Sequence, residues 1–530
     1  MFPSTSHELK HTAEVTAITT FGDTITDNVP KRNRDEEDLA RFGKKQQLRR
    51  NFKLLSIVAL TCTLMVTWEG ALTTFQSGLL NGGPAGLVYG FIFAWIGTIL
   101  QALVMGEMAS MVPLAGGQYN WVAVLAPPSC SKFLSYLTGW LSVISWQAAL
   151  AGSAFLAGTM IQGLIVLNNE SYNFQRWHGT LILYAILLLA LFVNTYLARI
   201  LPQIEAYVLI LHIVGFFCVL IPLVYLAPHH SAREVFATFT NAGGWEDKGL
   251  SFFVGISTGM FAFLGVDAGG HMAEEIQGAS TVIPRSMIAS TILNGALGLS
   301  MVIAALFCMG DIEETLTTPT GFPFMEVFRY ATGTNKGATL MVSVVVAAFI
   351  FMIVGVLATA SRMAWAFARE QGLPGSSVLV KVHKGTKLPL YTICMSVTIS
   401  MLLGLINIGS STAFNAMTSL CIAAFYSCYV VAAGVMLHKR LTTPLEKIPF
   451  GPFKLGRTGI PIIIASIVYS VIGIFFSFWP AIPNPEPMTM NWSIVVFGGA
   501  LVFCFGFWAV HGKNVYKGPL IEINTLSTTY

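Results

Sequence analysis

Charge is what this sequence has least of. Only 11% of its 530 residues are Asp, Glu, Lys or Arg, against roughly 25% in a soluble domain. With 54% hydrophobic residues and a mean hydropathy of +0.67, an ordinary soluble domain is excluded and a polytopic membrane protein is implied. Its eight cysteines form no CxxC and no Cys/His spacing of a metal site. Seven lie in apolar runs (Cys62, Cys218, Cys308, Cys394, Cys421, Cys428, Cys504) and read as small packing residues; Cys130 lies in a loop. No cofactor is implied. There is no HExxH, no GxSxG and no pair of aspartates in adjacent spans, which argues against an intramembrane enzyme. A basic patch with interleaved aromatics is missing outside the N-terminal tail, so no nucleic-acid partner is indicated. A secretory leader is missing too, because the first apolar run, from Leu54, is too long for one.

What is present is a series of long apolar runs. Twelve spans are predicted, near 54–80, 85–110, 133–161, 180–200, 204–226, 251–276, 286–309, 338–368, 389–407, 411–437, 459–479 and 491–511. The chain then divides into a disordered N-terminal tail (1–53), an all-α twelve-helix membrane domain (54–511) and a C-terminal tail (512–530). An even number of spans puts both termini on one side. With the N-terminus inside, 25 of the 30 Lys and Arg fall on inside segments and five on outside loops. The positive-inside rule therefore makes both termini cytoplasmic. Two glycosylation sequons fall outside: Asn169-Glu170-Ser171 in a loop, and Asn491-Trp492-Ser493, which is too close to a span to be used.

Two spans are poor lipid-facing helices. Residues 252–276 read FFVGISTGMFAFLGVDAGGHMAEEI. Five glycines interrupt them, and Asp267, His271, Glu274 and Glu275 would share one helix face. Charged groups at membrane depth are costly and point to function. The first span carries Thr67, Trp68, Glu69 and Gly70 near its middle. It lies five spans before the other, as paired interrupted helices of a five-plus-five inverted repeat would. Asp267 either caps the second half of span 6 or contacts substrate or proton. Glu69 is neutral and packed, or it faces a cation such as a substrate ammonium. His271 reads as an interhelical hydrogen-bonder.

Four stretches carry a family resemblance: WEGALTTFQSGLLNGGPAGLVYG, GEMASMVPLAGGQYNWVAVLAP, FAFLGVDAGGHMAEEI with the following PRS, and ASRMAWAFAREQGLP ahead of LPLYTI. In these the chain resembles the amino acid–polyamine–organocation superfamily, and within it the fungal-type amino acid/choline permeases. The resemblance covers about residues 50–510. It implies the five-plus-five inverted repeat with spans 1 and 6 unwound at a substrate site. By position that site takes Thr67, Trp68, Glu69 and Gly70 with Phe263, Leu264, Gly265, Val266 and Asp267. The family's more usual glycine-rich version of the first break is absent. A lysine of span 5 that replaces a sodium ion in some proton-coupled relatives falls by pattern on His212, which can carry a proton or be structural. Glu107, at the inner end of span 2, and Glu274 and Glu275 read as gate residues.

The expected function is a proton-coupled secondary transporter in the plasma membrane. It would import an amino acid, γ-aminobutyrate or a choline-like amine. The alternative is a membrane nutrient sensor that transports little.

Overall fold

The structure is a computed structural model. It describes residues 31–169, 171–409, 413–487 and 489–519, with the side chains of 31–34 and 409–415 outside the description. Among the described residues there is no strand, only two isolated bridges. Eleven helices are long and apolar enough to cross a membrane. The twelfth crossing, the sixth in order, is built from short pieces.

Span 1 is Leu54–Met65 followed by Thr67–Thr73 and Phe75–Leu80. Spans 2 to 5 are Gly83–Met111, Ser131–Asn168, Arg176–Tyr196 and Leu201–Leu226. Span 6 comprises Lys248–Gly255, Ser257–Phe261 and Ala268–His271. Spans 7 to 12 are Ala279–Phe307, Asn335–Arg369, Leu390–Gly404, Ala413–Thr442, Gly459–Ser477 and Ser493–Phe507. The fold is thus the all-helical twelve-span class with broken spans 1 and 6.

The two breaks have different local causes. Span 1 turns at Val66, whose φ of 38° and ψ of 50° put a β-branched residue in the left-handed region. That conformation is strained for valine and persists only where the surroundings enforce it. Span 6 opens over Ala262–Asp267 and turns at Gly265, where φ is +90° and only glycine is unstrained. Turn bonds satisfy part of each break: Val66 donates to the Cys62 carbonyl and accepts from the Gly70 N–H, and the Gly265 carbonyl accepts from the Ala268 N–H. Burial is deepest around them, as Trp68, Glu69 and Val266 are all fully buried. Span 12 is the most peripheral crossing, with only 17% of its apolar window buried, and it presents Val502, Phe503 and Val510 outward. Such a face suits lipid.

Residues 31–53, expected as part of a disordered tail, are folded. Lys31–Arg41 is a helix, and Leu39, Lys44, Leu48 and Phe52 are buried. Phe52 pairs with Ile276 through two backbone bonds, from its N–H to the Glu275 carbonyl and from the Gln277 N–H to its own carbonyl, each 3.0 Å. Asp35 accepts from the Gly278 N–H at 2.9 Å, holding the start of span 7. Hydrophobic pattern alone hides this segment, because its few apolar residues are spaced among charges whose partners lie more than 200 residues away. Residues 1–30 lie outside the described residues.

Candidate functional site

The two breaks face a common cavity of ≈ 40 Å³. That is room for roughly two or three waters, so the site is nearly closed in this conformation. Val66 and Gly70 line it from span 1, Leu264 and Gly265 from span 6, and Phe349 from span 8. Trp146, Phe261 and Phe425 add aromatic surface. Of the nine residues expected at the substrate site, Gly70, Leu264 and Gly265 line this cavity. Phe263 packs on Phe91 with ring centroids 5.1 Å apart, and Val266 is fully buried. Thr67 packs toward Gly298 of span 7, its hydroxyl without a hydrogen-bond partner among the described residues. Trp68 donates from Nε1 to the His212 carbonyl at 3.3 Å.

Glu69 and His212 come together. His212 Nδ1 lies 2.8 Å from Glu69 Oε1, and its Nε2 lies 3.0 Å from Asn294 Oδ1. Asn294 donates from Nδ2 to the Cys62 carbonyl at 3.1 Å, on the turn before the Val66 break. That bond orients the amide, so its oxygen faces the imidazole. An oxygen can only accept, so His212 Nε2 must carry a proton. The Nδ1–Oε1 contact then holds one further proton, on the carboxyl with a neutral ring or on the ring with a carboxylate. Glu69 Oε2 is buried without a partner among the described residues. Span 5 supplies the histidine, span 1 the carboxyl and span 7 the amide that fixes the tautomer. Sequence reading singled out Glu69 and His212 separately. Asn294 gave no signal, since an asparagine in an apolar helix has many neutral readings.

Asp267 has three donors. Gln118 Nε2 (2.6 Å) and His271 Nε2 (3.0 Å) approach Oδ2, and the Tyr429 hydroxyl approaches Oδ1 at 2.7 Å. Asp267 precedes a helical turn, but its side chain accepts no capping N–H. The carboxylate instead ties the span 6 break to span 10 and to the segment after span 2. His271 Nδ1 reaches the Ala115 carbonyl at 3.3 Å, so this ring too spends both nitrogens. Its face meets Trp146, a cavity residue, at 5.6 Å and 82°.

Comparison with known proteins agrees with this geometry. Residues 52–500 match the family model described as "Amino acid permease". The chain belongs to the amino acid permease family. It is 30% identical to the choline transporter of Saccharomyces cerevisiae over 476 residues, covering 88% of this chain and 83% of that one. It is 27% identical to an amino-acid permease of Arabidopsis thaliana over 512 residues, covering 93% and 98%. It is 24% identical to an amino-acid permease of Neurospora crassa over 488 residues, covering 92% and 89%. These relatives are transporters, and the chain is a multi-pass membrane transporter and not an enzyme.

The permease closes one end of the bundle with ion pairs. Glu107 accepts from Arg440 at 2.6 and 2.8 Å and from the Leu455 N–H at 2.7 Å. Glu274 accepts from Arg369 at 2.6 and 3.0 Å. Glu275 accepts from Arg362 at 2.9 Å. All six side chains are largely or wholly buried. The three expected gate residues are therefore each paired. Their arginine partners were not singled out, although Arg362 and Arg369 lie seven apart and so on one helix face. Lys44 of the folded N-terminal segment pairs with Glu370, and Gln46 donates to the Glu274 carbonyl at 2.8 Å. The same end is thus held by spans 2, 6, 8 and 10 and by residues 31–53.

Proposed function

We propose that this permease is a proton symporter of the plasma membrane that imports an amino acid, γ-aminobutyrate or a choline-like amine. The observation that carries the reading is the Glu69–His212–Asn294 chain, because the anchored amide leaves one proton shared between a carboxyl and an imidazole beside a broken span. The aromatic lining of Trp146, Phe261 and Phe425 supports an alkylammonium group, which ring faces attract. The printed names of the relatives, a choline transporter and amino-acid permeases, support the same range. Glu69 Oε2 is the acceptor left for a substrate ammonium once the cavity widens. Thr67, Trp68, Phe263, Val266 and Asp267 shape the breaks.

Alternating access then turns on the closed end. The distribution of Lys and Arg supports placing it, with both termini, in the cytoplasm. Glu107, Glu274 and Glu275 with their arginines form the inner gate. Asn169, exposed in an outside loop, is a glycan acceptor. The buried Asn491 spends its amide on the Ser477 and Trp479 carbonyls and is not one. The test is uptake into vesicles holding the purified full-length chain, under an imposed inward pH gradient. Amino acids, γ-aminobutyrate, choline and polyamines are screened. Gradient-driven concentration of at least one is expected. Uptake of none leaves the sensor reading, and uptake indifferent to the pH gradient removes the proton.

A further inference from the structure

The permease buries a second carboxyl that the proton pair does not use. Glu205 is 1% exposed in span 5, seven residues before His212 and so on the same face, about 10 Å along the axis. Its Oε2 lies 2.8 Å from Thr63 Oγ1 of span 1. Its Oε1 would lie 3.2 Å from a Cβ on Gly355 of span 8, so a glycine there makes the space it occupies. Among the described residues no Lys, Arg or His pairs with it. The charged and titratable groups on the packed helices are engaged elsewhere, and Arg199, on the turn before span 5, is exposed. From span 5 itself His212 holds Glu69, which belongs to span 1. From span 8 Arg362 holds Glu275 and Arg369 holds Glu274. Span 7 presents Asn294, already bonded, and the helix Pro323–Thr332 has Glu326 paired with Arg329.

Burial without a cation argues for a neutral carboxyl. Thr63 Oγ1 has three acceptors in reach: the Ala59 carbonyl at 2.9 Å, the Leu60 carbonyl at 3.3 Å and Glu205 Oε2. A hydroxyl has one proton to give. The shortest of the three is the one to Glu205 Oε2, to which Thr63 donates. An ionised Glu205 would be a buried charge with one hydrogen bond and no cation, which proteins avoid by keeping the group neutral.

We propose that Glu205 is a second proton site, which takes the proton from the Glu69–His212 pair and releases it to the cytoplasm. The inference rests on the proton-symport reading. While span 1 lies against span 8, Glu205 is sealed between them and neutral. When the first half of span 1 swings away, water reaches the carboxyl and the proton leaves to that water. The resulting carboxylate is reprotonated from the pair, which is refilled from outside. With the termini inside, as the Lys and Arg distribution supports, span 5 runs outward from Leu201, so Glu205 lies on the inner side of His212, where a release site must be.

Two measurements on the full-length protein in vesicles test this. In the infrared, a C=O band of a protonated carboxyl is expected at neutral pH, absent in Glu205→Gln and shifted in Thr63→Val. A band set unchanged in Glu205→Gln overturns the assignment, and this arm needs no substrate. For transport, choline and γ-aminobutyrate serve as probes. Exchange at equal concentrations on both sides does not require proton release, so Glu205→Gln should keep it within about twofold. Net pH-driven uptake should fall about a hundredfold, the low end for losing a proton-transfer group. Equal loss of exchange and net uptake, or retention of both, overturns the role. If the wild type shows no proton dependence, the symport reading fails instead, and the infrared result still decides whether Glu205 holds a proton.

Discussion

Replacing His212 by Gln tests the shared proton most directly. Gln can still donate an amide N–H to Glu69, but it cannot carry a proton across a cycle. The Glu69–His212 contact holds a single exchangeable proton, because Asn294 fixes the other ring nitrogen as a donor. On the proposed symport, one proton moves per cycle with a neutral substrate. A 100 mV inside-negative potential contributes about 2.3 kcal/mol and one pH unit about 1.4 kcal/mol. Their sum of about 3.7 kcal/mol supports roughly a 500-fold accumulation of a zwitterion such as γ-aminobutyrate. In His212→Gln that ratio should collapse toward unity while exchange between equal pools continues. The assay is steady-state accumulation in vesicles with clamped potential and imposed pH gradient. A variant that still concentrates the substrate about a hundredfold would mean that the proton is carried elsewhere.

Asn294→Asp puts a carboxylate against His212 Nε2, favouring the charged ring. The pH profile of net uptake should then differ from that of wild type, and a superimposable profile would separate Asn294 from the proton. Arg440→Ala leaves Glu107 buried and unpaired at the closed end, at a cost of about 3–5 kcal/mol. Cysteine labelling from the cytoplasmic side should reach the bundle interior faster in this variant than in wild type. Trp146→Leu removes a ring face from the cavity. Affinity for choline should drop about twofold to thirtyfold, measured by competition, with smaller losses for substrates lacking a quaternary ammonium. Lys44→Ala removes one partner of Glu370 and loosens residues 31–53, so amide exchange should speed up over that segment and leave span 12 unchanged.

The spans and both breaks were legible because hydropathy and misplaced glycines report directly on what the bilayer tolerates. Val66 was not legible as the turning residue, since nothing local marks a valine for the left-handed region; packing from outside the segment holds it there. Glu69 and His212 stood out as ionisable groups in apolar runs. Their mutual contact spans 143 residues and could not be read from either neighbourhood. Glu205 was passed over because it sits near a predicted span end, where a glutamate looks solvated. The same blindness hid the arginines of the closed end. Counting them as topology charges explains where the span ends lie and leaves unsaid that Arg362, Arg369 and Arg440 turn inward to carboxylates.

The polar residues of span 6 gain their meaning from this inward turn. Spaced i, i+4, i+7 and i+8, Asp267, His271, Glu274 and Glu275 would form one stripe on a continuous helix. The backbone is a short helical turn followed by a 3₁₀ turn, so the stripe fans out. Asp267 is held by Tyr429 of span 10, His271 by the Ala115 carbonyl, Glu274 by Arg369 and Glu275 by Arg362. Gly265, which lines the cavity, lies only ten residues before Glu275. A displacement of the inner half of span 6 by substrate at Gly265 therefore strains several buried polar contacts together. Each is strong only while its geometry is kept, since a buried charge that loses its partner keeps its desolvation cost. Under the proposed transport cycle, these contacts therefore break together and not one by one. This also gives a physical reason for placing binding residues and gate residues on one interrupted segment.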